Sequence, residues 1–168
     1  MNTRRMGKGM WALMWILVLA MLTMVFNNLL DEQRNPNTDP QTSENGSTAE
    51  VVLKRNRYGH YVATGAINNQ PVEFLLDTGA SDVSVPLDLA RRLGLKKGPE
   101  VRFETANGSV DGYMTKLDQV QLGDIKLHQV RASINPGMSG DSVLLGMSFL
   151  RHLEFTQRGD SMTLRQYH

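Results

Sequence analysis

Across 168 residues, 18 Lys and Arg stand against 17 Asp and Glu, a net charge of +1 with the two signs interspersed. That balance offers no basic face for nucleic acid, and the absence of cysteine removes disulfide frameworks, thiolate nucleophiles and Cys-ligated metal centres. Any catalysis must come from oxygen or imidazole groups, in a folded part no larger than one domain.

Taken in chain order, Arg4, Arg5 and Lys8 precede an apolar run over 10–26 in which Thr23 is the one polar interruption. Seventeen residues at ~1.5 Å each make about 26 Å of helix, and 27–30 extend it toward the ~30 Å of a hydrocarbon core. The expectation is a transmembrane anchor over 10–30 behind a cytoplasmic basic segment over 1–9, with Trp11 and Trp15 at one headgroup level. A cleaved signal peptide would carry a shorter apolar region and a small-x-small site, and 21–30 contains no such pair. Positive charge on the cytoplasmic side then predicts a single-pass protein of the inner (cell) membrane, its folded part on the periplasmic side. Residues 31–50 hold Asp, Glu, Asn, Ser, Thr and Pro with no large apolar side chain, which predicts a flexible polar linker of about 25 Å reach.

From Val51 onward, over 51–168, short apolar alternations broken by turn residues predict β-structure. Strands are expected over 51–54, 58–67, 72–76, 101–105, 114–120, 125–133 and 162–166. Asn68-Asn69, Asn107-Gly108 and Gly123-Asp124 supply the positive φ of tight hairpin turns. One helix is expected after Pro86, with Leu87, Ala90 and Leu93 on one face and Gly94 as its C-terminal stop, and a shorter one over 147–152.

The chemistry concentrates at Phe74-Leu75-Leu76-Asp77-Thr78-Gly79-Ala80-Ser81, where an acid follows a fully apolar strand and precedes two tiny residues. A carboxylate there is costly unless something receives it. Alone, the tripeptide is equally an Asx turn in which Asp bonds its own backbone and Gly supplies the bend. Two further stretches accompany it: Val143-Leu144-Leu145-Gly146, a second apolar run ending in Gly, and 103–110 between them, a hairpin with a small tip. His60, His128, His152 and His168 have no metal-ligand spacing, and no serine sits in a G-x-S-x-G elbow, so neither a metal site, a cofactor nor a serine nucleophile is expected.

Acid loop, hairpin and apolar-apolar-Gly, in this order, resemble the retropepsin family of aspartic peptidases, in particular its bacterial membrane-anchored members, over 58–155. The resemblance implies an all-β, single-lobed closed acid-protease barrel with one or two short helices behind a transmembrane helix. Carried onto this chain, it makes Asp77 the catalytic aspartate, Thr78 the residue bracing two acid loops across a dimer axis, and Gly79 the glycine that lets the carboxylates approach. Ala80 and the hairpin tip Ala106, Asn107 and Gly108 become substrate-binding, although the tip carries fewer glycines than the family's. Leu144, Leu145 and Gly146 become the element threaded beneath the acid loop. Two carboxylates about 3 Å apart share one proton, giving a base for water and an acid for the peptide carbonyl in one place. One Asp-Thr-Gly occurs in the chain, so the second carboxylate is expected from a second copy, a homodimer cleaving extended polypeptides. The alternative is a module that kept the fold and binds extended peptides by strand addition without cutting them.

Overall fold

The computed structural model describes residues 3–105 and 108–167. Helix α1 (Thr3–Arg34) leads into β1 (Gln41–Asn45), β2 (Thr48–Lys54), β3 (Val62–Ile67), β4 (Gln70–Leu76), β5 (Val83–Pro86) and α2 (Leu87–Arg92). Then come β6 (Glu100–Thr105), β7 (Gly108–Leu122), β8 (Ile125–Asn135), β9 (Ser142–Leu145), α3 (Met147–Leu150), β10 (Glu154–Arg158) and β11 (Ser161–Tyr167).

The order β3-β4-β9-β5-β8-β7 closes on itself, because β7 returns to β3 through Ala66↔Gln121 and Ile67↔Val120. The expected closed all-β barrel with short helices is thus formed, and closure removes the free edges an open sheet would leave. Among the described residues β6 pairs with β7 alone in this sheet and prolongs it as an arm. The chain's two ends, β1-β2 and β11-β10, make a separate four-stranded antiparallel sheet.

Inside the barrel Phe74, Val83, Val143, Leu145 and Phe149 are completely buried. Each contributes about 1.5–3 kcal/mol relative to exposure, which is what fixes β4, β5 and β9 side by side. Asn68 and Asn69 take φ of 49° and 64°, the primed turn their identity predicts between β3 and β4. Gly94 stops α2 at φ +67°, whereas Pro86 is the cap residue ahead of the helix and the last residue of β5, one place earlier than expected.

Strand β3 begins at Val62, not at 58, because Asn56 folds the preceding residues into a turn. Its Oδ1 accepts the N–H groups of Tyr58 at 3.0 Å and His60 at 2.9 Å. Strands β1, β5, β9 and β10 were not among the expected set; β1 and β10 are polar, and β5 and β9 are four residues each.

Two departures concern the N-terminal region. The helix runs on to Arg34, and Leu13–Arg34 is long and apolar enough to cross a membrane by length and composition. The stretch 31–50, expected as a flexible linker, is instead fastened to the barrel. Asn37 bridges to Ala63, its Nδ2 donates to the carbonyls of Lys54 (2.9 Å) and Val62 (2.7 Å), and its Oδ1 accepts the Lys54 N–H at 2.7 Å. Asn35 and Asn37 are both buried. A polar segment with little apolar surface to bury becomes ordered when its amides complete the backbone bonds of neighbouring strands.

Candidate active site

Apolar β4 delivers Asp77 to the barrel's end, where the chain turns at once. The Gly79 N–H donates to Asp77 Oδ1 at 2.9 Å, and the Ala80 N–H donates to the Asp77 carbonyl at 3.2 Å. An ionised carboxylate has about four lone-pair sites, so this Asx contact aims the group without saturating it. The Asx turn therefore leaves the carboxylate with acceptor sites to spare. Asp77 and Ala80 are half-buried, while Thr78 and Gly79 are exposed.

The loop is pinned from beneath by β9 and α3. The Asp77 N–H donates to the Leu145 carbonyl at 3.2 Å, the Met147 N–H to the Ala80 carbonyl at 2.8 Å, and the Ser148 N–H to the Ser81 carbonyl at 2.9 Å. Such backbone-to-backbone approach leaves no space at the crossing. A Cβ added to Gly146 would lie 2.6 Å from the Ala80 carbonyl oxygen and collide with that of Asp82 as well. The Leu144-Leu145-Gly146 element thus lies under the acid loop, and Gly146 is the residue that permits it.

Three residues that the sequence did not single out complete the support. Buried Ser148 accepts the Val83 N–H at 2.9 Å and donates to the Arg131 carbonyl at 2.7 Å, tying β5 to β8 just past the loop. Arg131 Nε donates to Asp82 Oδ1 at 2.6 Å, with the Asp82 side chain only 12% exposed. A hydroxyl inside the apolar run Leu144 to Leu150 was the available signal for Ser148. Nothing local marked Arg131, whose partner is 49 residues away.

The arm is built differently. β6 and β7 pair from Glu100↔Tyr113 to Thr105↔Gly108, and Gly108 takes φ +106°. Ala106 and Asn107, expected at the tip, lie outside the described residues. Arg102 holds Asp111 through Nε at 2.8 Å and Nη2 at 3.3 Å. That hydrogen bond, then the guanidinium charge, keeps the Asp111 carboxyl below its ordinary range. Gly112 is needed where the arm meets the barrel, since a Cβ there would lie 2.6 Å from the Ile134 carbonyl oxygen.

A cavity of about 570 Å³ lies apart from Asp77; Lys96, Lys97, Pro99, Met114, Lys116 and Arg131 are among its walls. Its walls carry cations and no carboxylate, unlike the acid loop.

Comparison with known proteins agrees with this geometry. Residues 63–152 match the family model described as gag-polyprotein putative aspartyl protease. An uncharacterized protein in the cobV 5′ region of Sinorhizobium sp is 29% identical, the match covering 98% of this chain and 76% of that protein. The uncharacterized protein RP867 of Rickettsia prowazekii (strain Madrid E) is 32% identical over 62% of this chain and 46% of its own length. Among solved structures, a retropepsin-like aspartic protease from Rickettsia conorii superposes with a TM-score of 0.59 at 26% identity, covering 75% of this chain and 94% of that one. The chain belongs to the gag-polyprotein putative aspartyl protease family and has the retropepsin-like fold.

Proposed function

We propose that this chain is a membrane-anchored aspartic endopeptidase whose active site forms between two copies, each contributing Asp77. The observation that carries this reading is the acid loop: a half-buried carboxylate, aimed by the Gly79 N–H and pinned by three backbone bonds to β9 and α3. Such rigidity is what two like charges brought within about 3 Å require.

In the pair, the ionised carboxylate takes a proton from a bound water. The resulting hydroxide attacks the peptide carbonyl carbon while the protonated partner donates to the carbonyl oxygen. Collapse of the tetrahedral intermediate breaks the C–N bond, and the proton gained from water passes to the leaving amine. Thr78 braces the two loops, Gly79 lets them approach, and Ala80 with the tip residues Ala106, Asn107 and Gly108 contacts an extended polypeptide. Family and fold support a protease; α1, basic at its start, supports an inner-membrane anchor with the barrel on the periplasmic side.

Two experiments test this. Purified chain should cleave an unfolded polypeptide with a bell-shaped pH dependence, and Asp77→Asn should abolish cleavage with the circular-dichroism spectrum unchanged. Retained cleavage in that variant removes Asp77 from the mechanism. A periplasm-dependent reporter fused after His168 should be active; activity of a cytoplasm-dependent reporter instead would reverse the topology.

A further inference from the structure

The end of α1 is not free of the barrel, and what it touches lies at a defined depth. Leu30 is the last apolar residue of the helix, and Gln33 stands three residues beyond it, about 5 Å along the axis. A headgroup layer is roughly 5–8 Å deep on each side of the hydrocarbon. Gln33 therefore sits at headgroup depth wherever 10–30 spans a bilayer.

The turn 55–60 is fastened at that level. Asn56 Nδ2 donates to the Arg34 carbonyl at 2.9 Å, which caps the helix end, and Arg57 Nη1 donates to Gln33 Oε1 at 2.6 Å. Arg34 in turn pairs with Glu73 at 2.7 Å, and Asn35 Nδ2 donates to Thr64 Oγ1 at 3.2 Å. The helix thus meets the barrel through side chains on β3, β4 and this turn, a joint and not a swivel. At the turn's apex the Arg57 guanidinium lies 4.8 Å from the centroid of the Tyr58 ring, and Tyr58 is 61% exposed. An exposed tyrosine and an arginine with further N–H donors are side chains that settle among phosphates and glycerol carbonyls.

We propose that Arg57 and Tyr58 form a second membrane contact, Tyr58 seated in the phospholipid headgroup layer and Arg57 on lipid phosphate, so that the barrel is held at one orientation on the bilayer. The proposal rests on the anchor reading above. It has a consequence for the acid loop, because the Leu76 N–H donates to the Tyr61 carbonyl at 3.0 Å. Tyr58 and Tyr61 are three positions apart, which places Asp77 within about 20 Å of the contact. Polypeptide segments close to the membrane are then the ones within reach.

The chain has no cysteine, so single sites can be labelled in the full-length protein. An environment-sensitive fluorophore would be placed at Tyr58→Cys, at Leu17→Cys in the helix, and at Asp118→Cys. Asp118 is exposed and adjoins Gln119, which bonds Asn68 at the other end of β3. In vesicles of phosphatidylethanolamine and phosphatidylglycerol, nitroxide on the headgroup should quench the Tyr58 label at least threefold more than the Asp118 label. Nitroxide deep in the acyl chains should quench the Leu17 label. Equal quenching at Tyr58 and Asp118, with Leu17 quenched, would overturn the contact and leave the anchor standing. A shielded but unquenched Tyr58 label would also overturn it, by assigning the turn to a second copy. An unquenched Leu17 label would overturn the anchor and the contact together.

Discussion

The acid loop and the β6–β7 arm are both polar hairpin-like excursions from one barrel, yet they are held by opposite means. The loop over 77–82 is locked from below by β9 and α3, in which Val143, Leu145, Ser148, Phe149 and Leu150 are buried, through the Asp77 N–H and the Ala80 and Ser81 carbonyls. Among the described residues the arm is held by its ladder and by the exposed ion pair of Arg102 with Asp111. Rigid support belongs under the group that must keep its geometry during reaction. A ladder with few packed neighbours suits an element that closes over a substrate. If that contrast is correct, substitutions of similar size should have very different consequences in the two places.

The largest effect should come at the crossing beneath the loop. Gly146→Ala puts a methyl group against the carbonyls of Ala80 and Asp82, and backbone on both sides leaves little room to yield. Loss of cleavage and a destabilisation of about 1–3 kcal/mol are expected, read as a fall of several degrees in melting temperature. Full activity in this variant would mean that the loop tolerates displacement and that its rigidity is incidental.

Ser148→Ala should come next. It leaves the Val83 N–H and the Arg131 carbonyl without their partner inside the barrel, a cost of about 1–3 kcal/mol. Cleavage should fall in proportion to misplacement of the loop and not vanish, which a kcat decrease at nearly constant KM would register.

Much of this architecture can be read in the sequence. The seven strands expected over 51–168 each overlap a real one because their apolar residues alternate toward a core, and Asn68-Asn69 specify their turn by backbone conformation alone. Asp77 to Ala80 and Leu144 to Gly146 are legible because they are contiguous, and the barrel brings the two stretches into direct hydrogen bonding. What could not be read depends on partners distant in sequence. β1 is five exposed polar residues that are a strand only because β2 lies beside them. The segment around Asn35 and Asn37 looks like a linker until Lys54, Val62 and Thr64 are placed around it. The bonds of Ser148 to Val83 and of Arg131 to Asp82 join residues 65 and 49 positions apart, which only the folded barrel brings together.

The smallest effect is expected in the arm. Arg102→Gln should leave the melting temperature within error, since both partners are exposed to solvent. It should also raise the Asp111 titration toward the ordinary value of 3.8, followed by the carboxyl carbon shift in NMR. Because the pair lowers that carboxyl in the folded state, whatever stability it gives is present above the ordinary value and is lost as pH falls through the lowered one. Mild acid, where a shared-proton dyad works, therefore leaves the arm's ion pair intact. A large loss of stability on Arg102→Gln would erase the distinction between arm and loop.

The central claim is that one Asp77 is half of a site, and mixing tests it most directly. Wild-type chain would be combined with a ninefold excess of Asp77→Asn chain under conditions of subunit exchange, with exchange verified by energy transfer between labelled copies. If the carboxylates are shared across a two-fold axis, random pairing leaves roughly a tenth of the wild-type chains with a wild-type partner, and activity per wild-type chain should fall to about that level. Undiminished activity per wild-type chain, with exchange complete, would show that a single copy carries the whole site and would contradict the account.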